Sequence, residues 1–106
     1  MTQMGVTYQP LEVLAPESAH LVARFFQVLS DPTRVRLVKA LADGKWCVSE
    51  LVDALAMDQP AVSHQLKYLR RLGLVQWQKN GRHVYYTLDS SLLRSTLLNV
   101  LDTLEE

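Results

Sequence analysis

The chain has 106 residues, 48% hydrophobic and 21% charged, with eleven basic and eleven acidic side chains that cancel to zero net charge and a single cysteine, Cys47. That length allows one domain able to bury a core unaided, the composition excludes a disordered chain, and one cysteine excludes an intramolecular disulfide framework. No apolar run approaches a membrane span and the opening MTQMGVTYQP lacks the blocks of a secretory signal, so a cytoplasmic location is expected.

Residues 1–15 carry no clean period and are expected to form an N-terminal arm, with one domain over 16–106. Pro16 suits the first turn of a helix to about Leu29, with Leu21, Val22, Phe25, Phe26 and Leu29 at helical spacing. Ser30 or Asp31 caps a second helix, opened by Pro32, running to about Leu41 and stopped by Asp43-Gly44. KWCV is short and β-prone, and SELVDALA reads as a third helix. Asp58 caps a fourth helix with Pro60 in its first turn and Gly73 at its end. LVQWQK and RHVYYTL alternate apolar and polar residues around Asn80-Gly81, which marks a hairpin. Asp89 or Ser90 caps a last helix through Leu104, with Leu93, Leu97, Val100, Leu101 and Leu104 on one broad face. The fold expected is mostly α with a β-hairpin wing, in the order α-α-β-α-α-β-β-α. Its third and fourth helices form a helix-turn-helix and the hairpin makes it winged.

The charges are not evenly spread. From Gln59 to Leu88 there are five bases (Lys67, Arg70, Arg71, Lys79 and Arg82) and no acid, while the rest of the chain holds six bases and all eleven acids. A neutral chain with one acid-free segment has a directed positive patch rather than a uniformly solvated face. At roughly 100° per residue, Val62, Leu66 and Leu69 share one side of the fourth helix, and Gln59, Ser63, Lys67 and Arg70 the other, with His64 and Arg71 at its margin. Along the axis, Gln59, Pro60, Ser63 and His64 lie toward the amino end and the cations toward the carboxyl end.

That sorting suits a recognition helix. Its amino end meets base edges in the major groove, where Gln pairs with adenine and Ser accepts several partners. The rear cations reach phosphates, which fix position without reading sequence. The hairpin tip KNGRH adds Lys79, Arg82 and His83, suited to the minor groove or the adjacent backbone. Double-stranded DNA is therefore the expected partner, through Gln59, Pro60, Ser63, His64, Lys67, Arg70, Arg71, Lys79 and Arg82. Mild acid should tighten the contact by charging exposed histidines. A surplus of apolar surface on the first and last helices points to a homodimer that hides it across a two-fold axis.

The segments LSDPTRVRLVKAL, CVSELVDAL, AVSHQLKYLRRLGLV and GRHVYYTL together resemble the ArsR/SmtB family of winged-helix repressors, over nearly the whole chain from about Ala19. The resemblance implies a homodimer built from the first and last helices, bound to a short imperfect palindrome. It also implies repression relieved by a bound metal ion or an oxidised thiol. Carried over by position, Gln59, Ser63 and His64 match the family's groove-reading residues and Arg82 its wing.

The family's effector sites are where the pattern breaks. Its last-helix metal set, an Asp-x-His pair and a later His-x-x-Glu, falls on Ser90, Leu92, Thr103 and Glu106, so only Glu106 could ligate and no metal cofactor is expected. Its third-helix Cys-x-Cys pair reads Cys47-Val48-Ser49. Cys47 stands three residues before Glu50, the spacing of a capping box, and is either a small buried cap or a thiol open to oxidants. The effector is left open. One rival is an interaction module that has lost DNA binding, which the acid-free helix opposes. The other is an enzyme, for which no nucleophile with a matched base is present: Ser63 and His64 are adjacent on a helix and diverge.

Overall fold

The computed structural model describes residues 13–105, so most of the expected N-terminal arm and Glu106 lie outside the described residues. The elements run α1 (Pro16–Val28), α2 (Pro32–Asp43), β1 (Trp46–Cys47), α3 (Val48–Leu55), α4 (Gln59–Arg71), β2 (Val75–Asn80), β3 (His83–Leu88) and α5 (Ser91–Leu104). This is the expected order, and local chemistry accounts for most of its boundaries. Proline stands in the first turn of α1, α2 and α4, where its missing N–H has no partner to lose. The carboxylates of Asp31 and Asp58 and the hydroxyl of Ser90 accept the backbone N–H of Arg34, Ala61 and Leu93 at 2.9, 2.8 and 3.1 Å. Those bonds settle two alternatives, Asp31 over Ser30 and Ser90 over Asp89.

The core gathers Leu37, Val38 and Leu41 from α2, Leu51 and Leu55 from α3, Val62, Leu66 and Leu69 from α4, and Leu93 and Leu97 from α5. It is closed by Val28, Val75 and Leu88. The α5 residues correct the sequence reading. Leu93 and Leu97 are sealed in this chain's own core, so of the expected face only Val100 and Leu104 are exposed, while Leu92, outside that face, is exposed as well.

Two features of the sheet also depart from the expectation. Trp46 and Cys47 pair with Tyr86 and Tyr85, so the hairpin is part of a three-stranded antiparallel sheet in the order β1-β3-β2. The turn also lies one residue later than the Asn-Gly pair indicates. Asn80 still pairs with His83, leaving Gly81-Arg82 as the two-residue loop. Gly81 has φ +66°, and Arg82 has no positive φ. That is the pattern of a turn with glycine in its first central position, whose twist suits a hairpin.

Candidate nucleic-acid interface

The helix α4 is held at both ends and along its back. Asp58 caps its start. At its end, the Gly73 N–H donates to the Arg70 carbonyl and the Leu74 N–H to the Leu69 carbonyl, both at 3.0 Å, with Gly73 at φ +73°. That paired closure stops a helix cleanly and needs a residue at ease in the left-handed region. Val62, Leu66 and Leu69 face the core at 0–2% exposure, which fixes the rotation of the helix about its axis. Arg34 secures its flank. The guanidinium lies 4.3 Å from the centroid of the Tyr68 ring, and donates to the carbonyls of Val28 (2.8 Å) and Gln27 (2.9 Å) and to Gln65 Oε1 (3.3 Å). One side chain thus satisfies the carboxyl end of α1 and braces α4. The sequence reading missed it, having counted Arg34 only among the bases outside the patch.

With the helix so rotated, Gln59, Pro60, Ser63, His64, Lys67, Arg70 and Arg71 are all exposed. Lys79 on β2 and Arg82 in the turn are exposed as well. Among the described residues the one ion pair joins Lys39 to Asp43, so none of the five patch cations is neutralised by a carboxylate.

The wing's two faces follow from its register. Val75 and Leu88 are opposite each other and buried, so the face they share turns inward, and alternation places Trp77, Lys79, Tyr86 and Val84 on it. This face meets α4 across a cleft of about 250 Å³ lined by Val48, Ser63, Leu66, Lys67, Arg70 and Tyr86. The Arg70 guanidinium carbon lies 4.6 Å from the Trp77 ring centroid, tying the helix to the wing. The sequence reading had Arg70 as a free phosphate partner and gave Trp77 no role; the signal was its shared parity with Val75. Ser63, Lys67 and Arg70 thus border one concave surface, and Lys79 lies on the wing face that carries Tyr86. Gln59 borders a different depression, with Ser49 and Asp53 of α3.

Of the four family effector positions, Glu106 lies outside the described residues and the other three are placed as follows. Ser90 caps α5, Leu92 is apolar, and the Thr103 hydroxyl donates to the Asn99 carbonyl at 2.9 Å. No group of three or more His, Cys, Asp or Glu side chains is placed to hold a metal among the described residues. Cys47 is 5% exposed, with Sγ 3.2 Å from Ser49 Oγ, and its N–H donates to Glu50 Oε1 at 2.9 Å. The Glu50 half of a capping box is therefore in place. The thiol is thus enclosed in this protomer, the surroundings expected of a small buried cap, one of the two alternatives the sequence offers for Cys47.

A family model described as bacterial regulatory protein, arsR family, matches residues 31–76, from the cap of α2 into β2. The transcriptional repressor SmtB homolog of Synechocystis sp. is 41% identical over 95 residues, covering 90% of this chain and 72% of that protein. The chain belongs to the ArsR/SmtB family. The structure of the repressor BigR from Xylella fastidiosa matches with a TM-score of 0.76 at 33% identity, over 83% of this chain and 89% of that one. The antimony-specific repressor AntR matches with a TM-score of 0.82 at 28% identity, over 99% of this chain and 96% of the other. As an ArsR/SmtB protein the chain is a DNA-binding transcriptional repressor, and the family is one of regulators rather than enzymes.

Proposed function

We propose that this repressor acts as a homodimer on an operator of two half-sites. The amino-terminal part of α4 (Gln59, Pro60, Ser63, His64) reads bases in the major groove. Lys67, Arg70, Arg71, Lys79 and Arg82 hold the flanking phosphates. The observation that carries the reading is the exposed, acid-free face of α4, which shares a cleft with Tyr86 of the wing. The outer surface of α4 meets the requirement for entering a groove, since every carboxylate there would oppose phosphate.

The dimer is supported by where apolar surface is left over. Of the ten large apolar side chains exposed among the described residues, six are on α1 and α5: Leu21, Val22, Phe26, Leu92, Val100 and Leu104. An apolar groove of about 450 Å³ runs between these helices, lined by Leu21, Val22, Phe25, Phe26, Leu92 and Thr96. A concentrated patch of this kind marks an interface, and a two-fold axis lets one patch cover another. Phe26→Glu is the test. An unpaired carboxylate buried at the interface costs about 3–5 kcal/mol, so the dimer dissociation constant should rise at least a hundredfold, roughly. Sedimentation should show a folded monomer with weakened operator binding. A Phe26→Glu protein that still sediments as the wild-type dimer would refute this interface.

For the signal, we propose that release of the operator does not use the family's metal set on α5. What supports this is that Ser90 and Thr103 are engaged in helix bonds and Leu92 carries no donor atom. A cytoplasmic location follows from work on DNA, and among the described residues no helix is long and apolar enough to cross a membrane.

A further inference from the structure

Trp77 is an anomaly for a structural tryptophan. It is 45% exposed on the inner face of β2, and its indole N–H has no partner among the described residues. The other tryptophan, Trp46, is half-buried and donates its N–H to the Ala40 carbonyl at 2.8 Å. What Trp77 does hold is Arg70, whose guanidinium carbon lies 4.6 Å from the ring centroid. We propose that Trp77 is a positioning residue for DNA binding. It holds the Arg70 guanidinium against the wing so that the N–H edge is already aimed at a phosphate. The proposal deepens the reading of α4 as the DNA-contacting helix and rests on it.

The chemistry of the guanidinium makes this arrangement productive. Stacking on a ring occupies one face of the planar cation, while its five N–H groups point outward in the plane and keep their capacity for a bidentate phosphate contact. Among the described residues Arg70 makes no ion pair. An exposed arginine without such a support must be ordered when DNA arrives, and that ordering weakens binding. The stack does this ordering in advance. It also bridges two elements that the chain joins only through Leu72–Leu74, with Gly73 in the left-handed region. Lys79 lies on the same wing face as Trp77, and Lys67 shares the cleft with Arg70. Fixing Arg70 on Trp77 therefore sets the spacing between the cations of the helix and those of the wing.

The test compares wild type, Arg70→Ala, Trp77→Leu, Trp77→Phe and the Arg70→Ala/Trp77→Leu double variant, binding a duplex from the promoter beside the gene across a salt series. Thermal melts confirm that each is folded. Loss of one phosphate contact should flatten the log–log salt slope by about 0.9 per protomer and lower affinity about eightfold per contact at 0.1 M salt. Trp77→Leu should lower affinity by a similar factor at every salt concentration with a near wild-type slope, the double variant should be no worse than Arg70→Ala, and Trp77→Phe, which keeps a ring face, should recover most of the affinity. A Trp77→Leu protein with wild-type affinity while Arg70→Ala loses its contact would overturn the positioning role. So would additive losses in the double variant, or an Arg70→Ala protein with an unchanged slope. If wild type itself shows no salt-dependent binding, the reading of α4 fails, an outcome separable from all of these.

Discussion

A Lys67→Glu/Arg70→Glu protein is expected to remain folded and to lose at least about a thousandfold in duplex affinity at 0.1 M salt, because four phosphate contacts per dimer disappear at about eightfold each. Both side chains are exposed and neither contributes to the core, so the melting behaviour should change little. The reversal does more than delete contacts. It sets two carboxylates in the longest stretch where the chain carries none, facing phosphate across the cleft bordered by Ser63 and Tyr86. The loss should extend to unrelated duplexes, since cations at the rear of the helix position rather than read. Anisotropy titrations with the operator and a scrambled duplex check this. Reversed-charge protein that binds either duplex as wild type does would move the DNA surface elsewhere.

Arg34→Ala is expected to cost about 2–4 kcal/mol of stability, a shift of roughly 10–20 °C in melting temperature for a domain of this size. Few single side chains here hold so many partners. Its guanidinium satisfies two carbonyls at the end of α1, bonds Gln65 and lies on Tyr68. Removing it leaves the Val28 carbonyl without its donor and opens the space between α1, α2 and α4. Arg34→Lys should restore little, because an ammonium cannot form the planar fork or lie flat on the ring in the same way. Denaturant titrations at one fixed protein concentration measure the change, since stability of a dimer depends on concentration. A loss under about 0.5 kcal/mol, the range of an ordinary surface substitution, would show that these contacts are not a brace.

Much of this architecture is legible in the sequence because it is written locally. Asp58 before Pro60, Gly73 after Arg71 and the spacing of Val62, Leu66 and Leu69 set the start, end and rotation of α4, and with them the whole exposed face. The candidate DNA residues follow from that rotation alone. What the sequence hides depends on distant pairing. Asn80-Gly81 and Gly81-Arg82 are both plausible hairpin loops, and the choice between them comes from packing Val75 against Leu88. β1 is only two residues long and exists through its bonds to β3. Ala56 ends α3 at φ 53° without a glycine to announce the turn. The leucines of α5 form one stripe on a wheel, and only the assembled core divides them into a buried half and an exposed one. Arg34 and Trp77 were invisible for the same reason, since their partners are 31 and 7 positions away on other elements.

The proposed grip on the DNA backbone belongs to one carboxylate-free surface, shared by α4 and the wing. Its most direct test is the salt dependence of wild-type affinity for the operator duplex. With ten candidate cations in a dimer and not all engaged, log affinity should fall against log salt with a slope of about −4 or steeper. A slope near zero, with affinity indifferent to salt, would contradict it.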